Sequence, residues 1–145
     1  MIGVLQRVKR ASVEVDGQLI GRIDAGLLVL VCAEPSDTES GAERFVDKLL
    51  KLRVFADEAG KMNRSIQDVG GGLLIVSQFT LAADVSGGNR PSFTGAAPAE
   101  QGRRLYEHVL SHARSRHAVV ECGEFGADMQ VSLVNDGPVT IPMRM

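Results

Sequence analysis

Leu27-Leu-Val-Leu-Val-Cys-Ala33 is a run without a polar side chain, and Leu73-Leu-Ile-Val-Ser-Gln-Phe79 nearly repeats its pattern later in the chain. Neither run alternates between apolar and polar positions. Strand-length segments of this kind belong to strands covered on both faces, in the middle of a layered sheet. Glycine stands before each, in Asp24-Ala-Gly26 and Gly70-Gly-Gly72.

The flanks follow different rules. Gly3 to Val15 alternates loosely and is rich in Val, Asp16-Gly17 follows, and Gln18-Leu-Ile-Gly-Arg-Ile23 comes next. Asp-Gly between two such segments predicts a hairpin. After Ala33 the period changes. Ser36 and Glu39 have capping-box spacing, and Ala42, Phe45, Val46, Leu49, Leu50 and Leu52 recur at helical intervals, predicting a helix from about 37 to 52. Arg53-Val-Phe-Ala56 reads as a strand and Asp57-Glu-Ala-Gly60 as a turn. Residues 82 to 99 are small, polar and broken by Gly and Pro, a loop long enough to be functional. A second helix is expected from Pro98 to Arg116, burying Leu105, Tyr106, Val109 and Ala113. Ala118 to Cys122 and Met129 to Val134 read as strands, and Val134-Asn-Asp-Gly-Pro-Val-Thr140 as a turn before a last strand. The sum is a sheet-dominated α/β domain with both helices on one side.

The chain has 145 residues, 44% of them hydrophobic and 23% charged, which suits one domain spanning 1–145 with its own core. Aromatic residues make up only 4%, so that core must be built from Val, Leu, Ile and Ala. A formal charge of −2 argues against electrostatic binding to duplex DNA, while leaving open a grip on the end of a nucleic acid. No apolar run approaches the ~20 residues of a membrane span, and no signal peptide precedes the first strand. Cys32 and Cys122 sit in apolar strand-like settings and read as core thiols of a cytoplasmic protein.

His108 and His112 have the spacing of two metal ligands on one helix face, but no third ligand accompanies them, and a solvated face is the better reading. His117 stands alone. Arg103-Arg104 with Arg114 and Arg116 gives a modest basic face. Gly70-Gly-Gly72 precedes a strand rather than a helix, so it is no phosphate loop, and there is no G-x-S-x-G elbow. Ser77-Gln-Phe-Thr80 is different, because it ends a buried strand and feeds the long loop, where α/β folds place ligands. Gly137-Pro138 is the other candidate, since glycine admits close approach and an X–Pro bond can be cis at ~0.5–1 kcal/mol.

Ser77-Gln-Phe-Thr-Leu81 together with Asn135-Asp-Gly-Pro-Val-Thr140 resembles the D-aminoacyl-tRNA deacylase family. Leu5-Gln-Arg-Val8, Ala11 to Gly17, Gly26 to Val31, Leu52-Arg-Val-Phe55, Gly60-Lys-Met-Asn63, Arg90-Pro-Ser-Phe93 and Gly126 to Asn135 carry the likeness along essentially the whole chain. The resemblance implies a cytoplasmic homodimer with a layered sheet-on-sheet-plus-helix (β-β-α) fold, mostly antiparallel strands and two main helices. It implies hydrolysis of the ester between a D-amino acid, or glycine, and the terminal adenosine of tRNA. No metal or organic cofactor, membrane or DNA partner is implied. Ser77, Gln78, Phe79 and Thr80 would line the pocket for the adenosine and the scissile ester. Gly137-Pro138 would be a cis pair entering the partner's pocket, Arg7 would brace it, and Phe125 and Met129 would lie near the pocket wall.

Two carbonyls turned the same way by that pair would fix the substrate's ammonium, so that an L-residue drives its Cβ into backbone while a D-residue points outward. Glycine would pass such a filter. Water attack, with Phe79 or Thr80 N–H stabilising the oxyanion and the ribose 2′-hydroxyl handling the proton, is the expected chemistry, with Thr80 positioning rather than reacting. The sequence departs from the family in Ala82-Ala-Asp-Val-Ser-Gly-Gly-Asn-Arg90, which has one positive charge where several are usual, implying either weaker acceptor-stem binding or binding that rests on the Arg103-Arg104 face. Two other functions compete with this one. A non-catalytic nucleic-acid-binding protein would carry a basic patch, and an editing domain for one L-amino acid would lack the Gly-Pro pair.

Overall fold

A computed structural model describes residues 1–145. Its longest strands are β1 (Ile2–Val15) and β8 (Gln130–Arg144), and between them lie β2 (Gln18–Ile23), β3 (Gly26–Cys32), β6 (Gly72–Ser77) and β7 (Val120–Cys122). The sheet runs β2-β1-β3-β6-β7, with β8 on β1. β1 is antiparallel to all its partners, whereas β3–β6 and β6–β7 are parallel. The parallel pairs require crossovers, and helices supply them: α1 (Glu39–Lys51) and the short α2 (Ile66–Val69) before β6, α3 (Ala99–Arg116) before β7. The result is a small α/β fold with a mixed sheet and three helices.

The unbroken apolar runs behave as their lack of alternation requires. Leu27, Val29, Val31, Leu73 and Ile75 face one core with Phe45, Leu49, Leu105 and Val109 of the helices. Leu28, Leu74 and Val76, one step out of phase, face a second core with Val8, Ala11, Val13 and Ile23. The two strands start in tight contact: a Cβ on Gly26 would lie 2.7 Å from the backbone nitrogen of Gly72. Asp16 and Gly17 both take left-handed backbone, at φ 51° and 74°, as the two-residue hairpin turn demands.

The helices differ in detail from their sequence reading. α1 is capped by Thr38, whose hydroxyl accepts from Gly41 N–H at 3.1 Å, so Ser36 and Glu39 form no capping box. The capping box belongs instead to Ser65 and Asp68 at α2, a helix too short for periodicity to reveal. Arg53–Ala56 contributes only Phe55–Ala56 (β4), paired with Met62–Arg64 (β5) in a separate two-stranded sheet. His108 and His112 do not point into solvent as a free face. Their Nε2 atoms lie 3.0 Å from Glu43 Oε1 and 2.9 Å from Asp47 Oδ1, clasping α3 to α1, with Arg104 on Glu39 at 2.8 Å.

The largest correction concerns Asn135-Asp-Gly-Pro138. It is no reversing turn, because both runs flanking it pair with the same strand. Gln130–Val134 runs beside β1 residues 10–14, and Thr140–Arg144 beside residues 2–6. Between the pairs Val8↔Asn135 and Gln6↔Thr140, β1 spends Arg7 alone while β8 spends Asp136, Gly137, Pro138 and Val139. The segment is a large bulge opposite Arg7, and Pro138, which lacks an N–H, sits where no ladder bond is needed.

Candidate active site

β6 ends at Ser77, opposite Val31, and Gln78 N–H still bonds the Val31 carbonyl at 2.8 Å. The chain then turns in a 3₁₀ segment, Phe79–Ala82, whose first bond runs from Leu81 N–H to the Gln78 carbonyl. Phe79 and Thr80 N–H precede that bond and are therefore donors without an intrahelical partner. A cavity of about 530 Å³ opens here, at the carboxyl end of the parallel strands. Ser77, Gln78 and Phe79 form one wall, while Phe93, Ala97, Gly102 and Phe125 contribute others.

The long loop is pinned where it meets the cavity. Ala97 N–H bonds the Ala33 carbonyl at 2.8 Å, and Asp84 and Ser92 exchange backbone bonds at 2.8 and 2.9 Å. Phe93 thereby meets Phe79 edge-on, centroids 5.2 Å apart at 76°. Phe79 is nonetheless 58% exposed, a large apolar face offered to whatever enters. On the floor the Tyr106 hydroxyl donates to the Ile75 carbonyl at 2.9 Å with the Gly123 carbonyl at 3.3 Å, and burial drives its pKa up. Phe125 tilts against Tyr106 at 6.0 Å and carries Arg103 over its ring at 4.7 Å.

Thr80 Oγ1 accepts a hydrogen bond from Gln78 Nε2 at 2.5 Å. An amide is no base, and the three histidines are engaged elsewhere, with Glu43, Asp47 and the Gly71 carbonyl. Nothing at hand would take the Thr80 proton. Cys32 lines the cavity too, 3.6 Å from the Phe79 carbonyl, but burial and then the Glu34 carboxylate raise its pKa. It remains a thiol at neutral pH rather than a nucleophile.

Gly137-Pro138, a cis pair, lies exposed in the β8 bulge. Arg7 Nε donates to the Asp136 carbonyl at 2.9 Å and its Nη1 to the Val54 carbonyl at 2.6 Å. Asn135 closes the bulge from within: its Oδ1 accepts from Val139 N–H at 2.9 Å and its Nδ2 donates to the Val139 carbonyl at 3.2 Å. Within one chain this device does not meet Ser77–Thr80. Arg7 pairs with Leu27 and Ser77 with Val31, four strand residues apart, and β8 is three strand spacings from β6. At ~3.3 Å per residue and ~4.8 Å per spacing the separation is about 20 Å. Met129 packs on Gly123 and the second core and is not among the residues that line the cavity.

The cavity also uses Phe93 and Tyr106, which periodicity and composition did not single out as site residues. The signal for Tyr106 was available, since the chain's one tyrosine sits on a buried helix face and its hydroxyl needs a partner there. Phe93 depends on how the loop folds back, which no local pattern encodes.

A family model described as D-Tyr-tRNA(Tyr) deacylase matches residues 4–144. Among curated proteins, the D-aminoacyl-tRNA deacylase of Methylibium petroleiphilum is 74% identical over 143 residues, covering 99% of this chain and 94% of that one. The D-aminoacyl-tRNA deacylase of Paracidovorax citrulli is 68% identical over 145 residues, with 100% and 94% covered. A solved structure of a c-Myc DNA Unwinding Element Binding Protein superposes with TM-score 0.95 at 44% identity, covering 100% and 99%. Another, described as a "probable eukaryotic D-amino acid tRNA deacylase", has TM-score 0.82 at 17% identity over 98% and 97%, a likeness of fold.

Proposed function

Because this chain belongs to the D-Tyr-tRNA(Tyr) deacylase family, we propose that it hydrolyses the ester between a D-amino acid and the terminal adenosine of tRNA, releasing both. Glycine mischarged on tRNA is a second substrate. The observation that carries this reading is the apolar cavity at the end of β6, bounded by Ser77-Gln-Phe and adjoining a 3₁₀ turn whose first two N–H groups have no partner within it. The adenosine occupies the cavity against Phe79 and Phe93, with its 3′ ester beside Thr80.

Water attacks the ester carbonyl, and the oxyanion that forms is stabilised by Phe79 or Thr80 N–H, fixed donors that need no rearrangement. The leaving 3′-oxygen collects its proton through the neighbouring 2′-hydroxyl. Thr80, held by Gln78 and without a base, positions the ester.

Chirality is read by the Gly137-Pro138 carbonyls of a partner subunit. The ~20 Å between this pair and Ser77 in one chain, and the pair's exposure, support a site completed across a two-fold interface. Residues 1–145 act as one domain in the cytoplasm, and the two separate cores support a β-β-α layering. A DNA-binding reading, suggested by the name of one structural relative, has only the modest basic face of α3 behind it, and half of that face is already neutralised. Net charge is −2, and Arg7, Arg104, Arg116 and Arg144 are paired with carboxylates.

The test is direct. Purified protein is incubated with D- and L-tyrosyl-tRNA carrying labelled amino acid, and ester loss is followed. Rapid loss of the D-ester with the L-ester intact is expected. Equal rates would remove the chiral filter, and no hydrolysis of either would remove the enzyme reading.

A further inference from the structure

Arg103 and Arg104 are neighbours in sequence with different fates. Arg104 is tied to Glu39 at 2.8 Å across the helix pair. Arg103 makes no ion pair, although Glu100 and Glu107 lie at i−3 and i+4 on its own helix. Its guanidinium sits instead 4.7 Å over the ring of Phe125. Phe125 and Gly102 both line the cavity, which places an uncommitted positive charge at its rim. Cation–π contact at an exposed site contributes only ~0.5–1 kcal/mol. That is enough to hold the fork in place while leaving its donors free.

The ligand's chemistry gives that charge a partner. A nucleoside base and ribose can enter an apolar cavity, but the phosphate attached to the 5′-oxygen cannot leave water without a compensating cation. It must stay at the rim. We propose that Arg103, stacked on Phe125, binds the phosphate joining the terminal adenosine to the nucleotide before it. The inference rests on the deacylase reading and extends that site from one nucleoside to a single-stranded tRNA end. A planar fork already oriented loses less freedom on binding phosphate than a free lysine would. The contact also compensates for a loop, residues 82–90, that offers only Arg90.

Two substrates separate this role from a structural one: D-tyrosyl-tRNA, and 3′-O-D-tyrosyl-adenosine, which has no phosphate. For Arg103→Gln, KM for D-tyrosyl-tRNA should rise about tenfold with kcat unchanged, the effect of one charge-assisted bond at a wet rim. Hydrolysis of D-tyrosyl-adenosine should stay within about twofold of the wild type, as no bond is lost there. The slope of log(kcat/KM) against log[salt] should become shallower by ~0.7, one phosphate on a single strand. Arg103→Lys should recover most of that slope, and Lys48→Gln, an equal charge change on an exposed face of α1, should leave both substrates unaffected. Equal losses on both substrates, or an unchanged salt slope, would overturn the proposal. If the wild type hydrolyses neither substrate, the deacylase reading itself falls, an outcome distinct from a failure of Arg103.

Discussion

Gly137→Ala is the most searching single change, because the bulge offers no room for a methyl group. A Cβ built there lies 2.8 Å from Val139 Cγ2, with the backbone nitrogen of Val139 closer still. Carbon atoms rest at about 3.5–4.0 Å, so roughly 0.7–1.2 Å must open. The valine side chain alone cannot supply it, since the same nitrogen is anchored to Asn135 Oδ1 at 2.9 Å. Gly137 itself must move, and its carbonyl with it. A displacement near 1 Å at a positioning group costs about 10²-fold, so kcat/KM on D-tyrosyl-tRNA should fall by about two decades, ~2.7 kcal/mol. Stability should suffer less. Overpacking costs ~1–3 kcal/mol, offset by ~0.4–1 from the stiffer unfolded chain, while both flanking ladders with β1 remain. The assay pairs single-turnover deacylation with a thermal melt. Activity within threefold of wild type in a folded protein would refute the argument that this backbone position governs the reaction.

Thr80→Ala should retain deacylation within about tenfold, whereas loss of a true nucleophile costs several orders of magnitude, so kcat or a trapped ester on Thr80 decides the matter. Sedimentation at micromolar concentration should find twice the chain mass, and a fully active monomer would exclude the shared site. Glu34 links strand β3 to β8 through Arg144, whose hydrogen bond is the main cause of a lowered Glu34 pKa. A folded pKa below the unfolded value of about 4.3 gives stability that is present above that pH and lost as pH falls through the folded value. Glu34→Gln should therefore melt below wild type at pH 7, with the difference closing as pH falls below about 4; a pH-independent difference would contradict the linkage.

How much of this was legible depended on the range of the interaction. The runs at Leu27 and Leu73 declared strands buried on both faces because two-sided burial acts on every residue. The Asp16-Gly17 turn and the two long helices were equally local. The Ser65 box and the Thr38 cap are just as local but span too few residues for periodicity to mark, whereas the pairing of His108 with Glu43 depends on how α3 comes to lie on α1. Ser77-Gln-Phe-Thr80 could be placed at a strand end from sequence, but the cavity beside it needs Phe93 and Phe125, brought in by the long loop and by the turn that follows β7. Asn-Asp-Gly-Pro misled for a definite reason. Its composition reports an irregular backbone, and only register can tell a reversal from a bulge.

That register also gives a surface segment the rigidity that the proposed steric filter requires. A hairpin tip is held at one end of a ladder and is free to swing. The 136–139 bulge is held on both sides, by Val8↔Asn135 and Gln6↔Thr140, so its ends cannot separate without opening β1. The lone residue opposite it, Arg7, reaches across to the Asp136 carbonyl and back to Val54, while Asn135 fixes Val139. Four residues thus project from the sheet with few free torsions, presenting backbone rather than side chain. Rejection of an L-residue needs a surface that does not yield when a Cβ presses on it, and that stiffness comes from the long antiparallel pair. The cavity, in contrast, is assembled from a strand end, a loop and a helix, elements that can adjust to an adenosine. The fold keeps the yielding part of the proposed site and the unyielding part about 20 Å apart in each chain, and a two-fold pairing of chains would bring the two together.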